Sequence, residues 1–186
     1  MKLAIAVLLA AQSAAAVEFH IQFAALERML GEQVFTEEGR RYVKGDRAAR
    51  CNFAYLEAPH IENDGGRVRI RARFTGRTAL NVLGQCVGLG DAFPLAIGAR
   101  PVYKDGQLRL TDVTVVSENK SGLYIRRVCA ALAAGLPRDF KYPLEDEARK
   151  TLEEPGRREL QNFRVPEIRV ENGALVLVVD FQLKVK

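Results

Sequence analysis

The stretch RVRIRARFTGRTALNVL, residues 67–83, decides the fold. Val68, Ile70, Ala72 and Phe74 alternate with Arg67, Arg69, Arg71 and Arg73, so an extended chain here has one apolar face and one cationic face. Strict alternation of this kind marks a half-buried β-strand. The pattern runs past Gly76 through Leu80 and Val82. That predicts a strand far longer than the usual length of about five or six residues, hence one that is curved or bent at glycine.

Working outward, further strands flank it. Upstream, Phe53 and Tyr55 lead toward Ile61, and Asn63-Asp64-Gly65-Gly66 supplies residues that tolerate positive φ, so a tight turn joins this run to the long strand. Downstream, GQCVGLG at residues 84–90 reads as a glycine-rich bend. Phe93, Leu95, Ile97 and Ala99 then form another run, Lys104-Asp105-Gly106 turns the chain, and Leu108, Leu110, Val113 and Val115 return. The phase shift between Leu110 and Val113 predicts a β-bulge. At the end of the chain, residues 165–170, Asn172-Gly173 and ALVLVVDFQLKV form a hairpin, because Asn-Gly between two β runs is a strong two-residue turn signal.

Helices interrupt the strands at separate points. Phe19 and Ile21 indicate a short strand leading into FAALERMLGEQ, where Phe23, Leu26, Met29 and Leu30 make a one-sided stripe that ends near Gly31. In residues 34–44, Glu37-Glu38-Gly39 is expected to turn the chain between two short β pieces. A second helix is expected over residues 122–136, with Ile125, Val128, Leu132 and Leu136 on one side and Pro137 as its stop. Residues 144–160 are helix-prone but broken by Pro155-Gly156, which suggests a solvated excursion. Strands joined by tight turns, with helices at separated points, imply an α+β domain with a curved antiparallel sheet that can close around a helix.

Residues 1–16 read as a cleavable export signal. Lys2 is followed by an apolar run and then by small residues at Ala14-Ala15-Ala16. The run is half of the roughly 20 apolar residues a membrane span needs. Residues 17–186 are then expected to form a single domain, periplasmic or secreted, large enough to bury a core. The 28 basic and 23 acidic residues give +5, and loss of Lys2 leaves +4. That balance is mildly basic, compatible with an anionic membrane surface but not the profile of a nucleic-acid binder. Three cysteines in an exported chain permit one disulfide. The preferred pair is Cys51 with Cys86, leaving Cys129 as a small buried hydrophobe in the second helix; three reduced core cysteines are the alternative.

Enzyme chemistry finds little support. Gly84-Gln85-Cys86-Val87-Gly88 has the outline of a nucleophile elbow, but the residues after it do not start a helix, and His20 and His60 both precede Cys86. The two histidines lie in no cluster with metal-ligand spacing, so no metal or cofactor is expected. Glu145, Asp146 and Glu147 read as a solvated helix start. The arginine row of Arg67, Arg69, Arg71 and Arg73, with neighbours roughly 6.5–7 Å apart on one face, has clear geometry. It could meet lipid phosphates or an acidic protein, and it equally suits a charged outer strand face.

The order of pieces resembles the YceB-like periplasmic proteins of the bacterial envelope, whose fold is of the tubular lipid-binding (TULIP) type. VEFHIQFAALERMLGEQV resembles the family's start, and RVRIRARFTGRTALNVL its central sheet. PLAIGARPVYKDGQLRLTDVTVV, LYIRRVCAALAAGL and NFRVPEIRVENGALVLVVDF follow in matching order. Members commonly carry a lipid-modified cysteine after the leader, whereas the first cysteine here is Cys51. The resemblance implies a strongly curved antiparallel sheet wrapped around an amphipathic helix, with an apolar groove for a phospholipid or fatty-acyl chain and no catalysis. Candidate lining residues are Leu26, Leu30, Ile70 and Phe74 in the first half, and Leu95, Ile97, Leu132 and Leu136 in the second. Each could also belong to an ordinary filled core, which would leave an envelope protein–protein interaction module that uses the basic strand face.

Overall fold

The computed structural model describes residues 16–139 and 141–185, so the leader assigned to residues 1–16 lies, apart from Ala16, outside the described residues. The chain forms an α+β domain with two antiparallel sheets. The larger sheet contains β2 (Arg40–Lys44), β3 (Asn52–Asp64), β4 (Arg67–Val82), β5 (Gln85–Lys104), β6 (Gln107–Ser117) and β7 (Lys141–Tyr142), in that order, and curls strongly into a half-barrel. The smaller sheet has the order β1 (Val17–Gln22), β9 (Ala174–Val185), β8 (Arg158–Glu171). Among the described residues there are three helices: α1 (Phe23–Gln33), α2 (Leu123–Asp139) and α3 (Leu144–Leu152).

The long alternating strand is β4, continuous over 16 residues and paired along its length with β5. Val68, Ala72 and Phe74 are buried on the concave face. Gly76 follows Phe74 on that face because the Phe74 ring folds over it, and a Cβ there would sit 2.6 Å from the ring. Glycine is what lets the aromatic lie flat against its own strand. The expected bulge is present: Gly98 pairs with Thr114 and Arg100 with Thr111, and Asp112 in the bulge has φ 51°.

Two clusters form the core. One joins Phe74, Phe93, Leu95 and Val115 of the sheet to Ile125, Cys129 and Leu132 of α2. The other joins Ile61, Val68 and Leu108 to Phe23 of α1 and to Val170, Leu175 and Leu177 of the small sheet. Leu30 and Ile70 pack against both clusters. A bulge in β3 between Glu57 and His60 helps dock α1: Glu27 accepts hydrogen bonds from Ile61 N at 2.6 Å and lies 2.8 Å from His60 Nδ1.

Several sequence expectations need correction. GQCVGLG is no bend: the turn is at Leu83-Gly84, and residues 85–90 already belong to β5. The glycines there serve close strand approach, since a Cβ on Gly88 would meet Thr78 O at 2.4 Å and Ala79 Cα at 2.5 Å. Pro137 does not stop α2, which runs two residues further to Asp139; the lost donor and the crowding of the ring against the carbonyl four residues earlier fall in the last turn, where the helix is about to end. The Glu37-Glu38-Gly39 turn is present, but only its second arm is a strand. Val34 and Phe35 instead cap α1, both donating to Leu30 O. β8 begins at Arg158, seven residues before the expected Val165, because bulges between Gln161 and Arg164 and between Arg164 and Glu167 break the alternation. Leu160 is accordingly core and not part of a solvated excursion.

The charged start of α3 does structural work. Glu145 accepts from Arg149 Nη2 at 2.8 Å and from Tyr103 Oη at 3.0 Å, fastening α3 to β5. Burial, reinforced by the Glu145 carboxylate, pushes the Tyr103 phenol up to about 12. The Arg149 guanidinium, with help from Tyr103, holds the Glu145 carboxyl below its ordinary range. A depressed carboxyl contributes stability at pH values above its unfolded pKa and loses it as pH falls through the folded one. Protection of α3 amides in hydrogen exchange is therefore expected to drop as pH is taken below about 4, and Glu145→Gln should flatten that dependence.

Candidate functional site

The apolar residues of the concave face do not fill the space between the sheet and its helices. Three neighbouring cavities lie there. The first, about 450 Å³, sits between α2 and the β2–β4 part of the sheet, lined by Tyr42, Phe53, Phe74, Val128, Leu132 and Leu136 among others. The second, about 160 Å³, lies under the end of α1 against Leu56, Ile70 and Ile97. The third, about 210 Å³, lies between α1, the sheet and β9, bounded by Leu26, Met29, Ile61, Val68, Leu108 and Leu175.

Shared walls make them a series. Arg41 and Leu136 border the first and second cavities, and Leu30, Val34 and Ile70 border the second and third. The row runs along the concave face from Thr78 of β4 and Lys44 of β2 toward the small sheet. Its chemistry is mostly hydrocarbon and aromatic, with Lys44 and Thr78 at the first cavity, Arg41 at the first junction and Gln33 at the second. Tyr124, which also borders the first cavity, is kept neutral: burial raises its phenol, and the charge of Asp91 adds to that. Such a space suits a long flexible apolar ligand better than a compact polar one.

Seven of the eight expected lining residues border these cavities: Leu26, Leu30, Ile70, Phe74, Ile97, Leu132 and Leu136. Leu95 does not. It is 0% exposed within the packed cluster between Phe93 and α2, so it belongs to the filled core. Met29, Ile61 and Leu108 were missed as lining residues. Their strands and helix face were legible, but no periodicity distinguishes an apolar side chain that meets a void from one that meets another side chain.

The arginine row lies on the convex face, as the alternation requires, and carboxylates accompany it. Arg69 meets Asp64 at 2.5 Å, Arg71 lies between Glu62 at 3.3 Å and Glu118 at 3.1 Å, and Arg73 lies 3.9 Å from Glu57. Arg67 donates to Asp112 O at 2.5 Å. The row is thus a cross-strand ion-pair ladder, a weaker lure for a polyanion than four unaccompanied guanidinium groups.

Cys51 and Cys86 are joined in a disulfide, with Cα atoms 5.3 Å apart, and Cys129 is free and buried. Burial pushes the Cys129 thiol up, so it stays protonated near neutral pH, opposite to an activated thiolate. Among the described residues, no group of three or more His, Cys, Asp or Glu side chains is placed to hold a metal ion. His20 and His60 instead lie beside Glu18 and Glu27. Among the described residues, no helix is long and apolar enough to cross a membrane. The chain matches no protein-family model, no curated protein and no solved structure.

Proposed function

We propose that this chain is an exported, non-enzymatic carrier that holds a phospholipid or fatty-acyl chain between the curled sheet and helices α1 and α2. The row of adjoining, mostly apolar cavities carries the reading, because an ordinary close-packed core leaves few voids larger than a water molecule. The curled antiparallel sheet with helices on its concave side supports a TULIP-type arrangement of the kind found in YceB-like proteins. The Cys51–Cys86 bond supports an oxidising compartment such as the periplasm, in keeping with the leader at residues 1–16.

The energetics suit a carrier. Each methylene removed from water contributes about 0.8 kcal/mol, so about ten methylenes supply about 8 kcal/mol before the costs of association. Retention then needs no bond making and little polar recognition.

Filling the path tests this directly. Leu136 borders the first two cavities and is only half-buried, so Leu136→Trp should plug the junction while leaving the core intact. Uptake of a fluorescent fatty acid is expected to fall about tenfold or more, with thermal stability unchanged or raised. Arg69→Gln with Arg71→Gln should leave uptake unchanged. The reverse pattern, uptake insensitive to the plug and an acidic partner lost with the arginines, would favour an interaction module.

A further inference from the structure

The β4–β5 hairpin ends in an apolar finger. Leu80, Val82, Leu83, Val87 and Leu89 are all exposed, Leu83 completely and Leu80 at 74%. Leu80 pairs with Val87, and Thr78 with Leu89, on the same sheet face as Phe74 and Phe93, so the finger continues the concave face beyond the helices that cover it elsewhere. No charged residue occurs from Thr78 to Gly90.

The turn itself is unusual. Leu83 and Gly84 have φ values of 52° and 84°, the tight hairpin turn normally filled by Asn-Gly or Asp-Gly. A leucine there takes on the strain of the left-handed region and exposes its whole side chain to water. The strain belongs to the turn and stays whatever the tip meets, but the exposure cost is recovered when an apolar phase covers the side chain.

At the base of the finger the charges are basic. Lys44 donates to Thr78 Oγ1 at 3.4 Å, Arg50 directly precedes the disulfide-bonded Cys51, and Arg77 lies on the strand just before the uncharged stretch. All three are exposed. The neighbouring carboxylates are engaged: Asp91 pairs with Lys120, Glu38 with Arg47 at 2.7 Å, and Asp46 accepts from Ala48 and Ala49 N. An apolar tip above a basic collar matches the layering of an anionic bilayer, hydrocarbon beneath phosphate.

We infer that the β4–β5 finger docks the protein on an anionic lipid bilayer, with Leu80, Leu83, Val87 and Leu89 in the acyl region and Lys44, Arg50 and Arg77 at the phosphates. Thr78 and Lys44 also border the first cavity, so docking brings that end of the apolar row to the bilayer. Arg77 shares the convex face of β4 with the arginine ladder, beyond its end at Arg73, whereas Lys44 and the apolar side chains of Leu80, Val87 and Leu89 belong to the concave side; the inference does not depend on the carrier reading.

The test is flotation of the full mature chain with phosphatidylglycerol/phosphatidylethanolamine vesicles, compared with phosphatidylcholine vesicles. The expected result is binding to the anionic vesicles, several-fold weaker on the neutral ones and at high salt. Leu80→Asp with Leu83→Asp should reduce binding about tenfold or more. Asp is better tolerated than Leu at the left-handed turn, so that variant should keep its fold by circular dichroism. Arg50→Gln with Arg77→Gln should weaken binding several-fold and blunt its salt sensitivity. Absent vesicle binding, equal binding by the Leu80/Leu83 variant, or a tip that only drives self-association in sedimentation would each overturn the inference. Fatty-acid uptake by the same Leu80/Leu83 variant separates the two claims, since a carrier without a docking finger keeps its uptake.

Discussion

Phe74→Ala is expected to destabilise the folded chain by about 3–5 kcal/mol. The ring is 2% exposed, packs on Phe93 with centroids 5.0 Å apart, and covers Gly76 on its own strand. Removing it deletes an aromatic pair and uncovers a glycine. It also enlarges the first cavity, which the ring already borders, and the strands around it are held in register on both sides and cannot collapse into the gap. For a chain of this size that loss corresponds to a fall in Tm of roughly 6–20 °C. Calorimetry checks it, and a shift below about 2 °C would mean that the concave face is far more plastic than its packing indicates. Because the same substitution widens the ligand path, added fatty acid should recover part of the lost Tm through preferential binding to the folded state.

Loss of the Cys51–Cys86 bond is the second large effect. The bond closes a loop of 35 residues in sequence that contains all of β3 and β4. In the chain-entropy picture, cutting it costs about 4 kcal/mol, since the unfolded chain regains the freedom the crosslink removed. Cys51→Ser with Cys86→Ser should therefore lower the urea midpoint strongly, and reduction of the native chain should do the same. The effect should be largest locally at the base of the β4–β5 hairpin, where Ala79 N donates to Cys51 O at 2.9 Å. Hydrogen exchange of residues 78–90 would then rise before that of β6 or β9. Uniform exchange across the molecule after reduction would contradict the local role.

Much of this architecture could be read from residues 67–83, because a buried face set against a charged face leaves an unambiguous period of two. The α1 stripe was legible for the analogous reason, since Phe23, Leu26 and Leu30 meet the core together. The Leu110 to Val113 bulge was legible because the phase of the apolar residues changes there. β8 was harder to read: two bulges and the positive φ of Asn162 at 52° scramble its alternation, so its first half looks like loop. The separation of β1, β8 and β9 into their own sheet was also hidden, as it depends on pairing between the two ends of the chain. For the candidate site, periodicity identifies the concave face but not what stands opposite. Leu95 and Ile97 share that face two residues apart, yet Leu95 meets packed side chains and Ile97 meets the second cavity. The exposed finger was concealed for a different reason: its apolar residues continue a pattern that is buried further along the same strands.

The most direct measurement is native mass spectrometry of the mature chain, purified gently from an export-competent host, followed by solvent extraction and lipid analysis. A stoichiometric mass excess that extracts as phospholipid or fatty acid, and is lost in Leu136→Trp, is expected of a carrier. A bare mass that persists after incubation with membrane lipids would contradict the carrier reading.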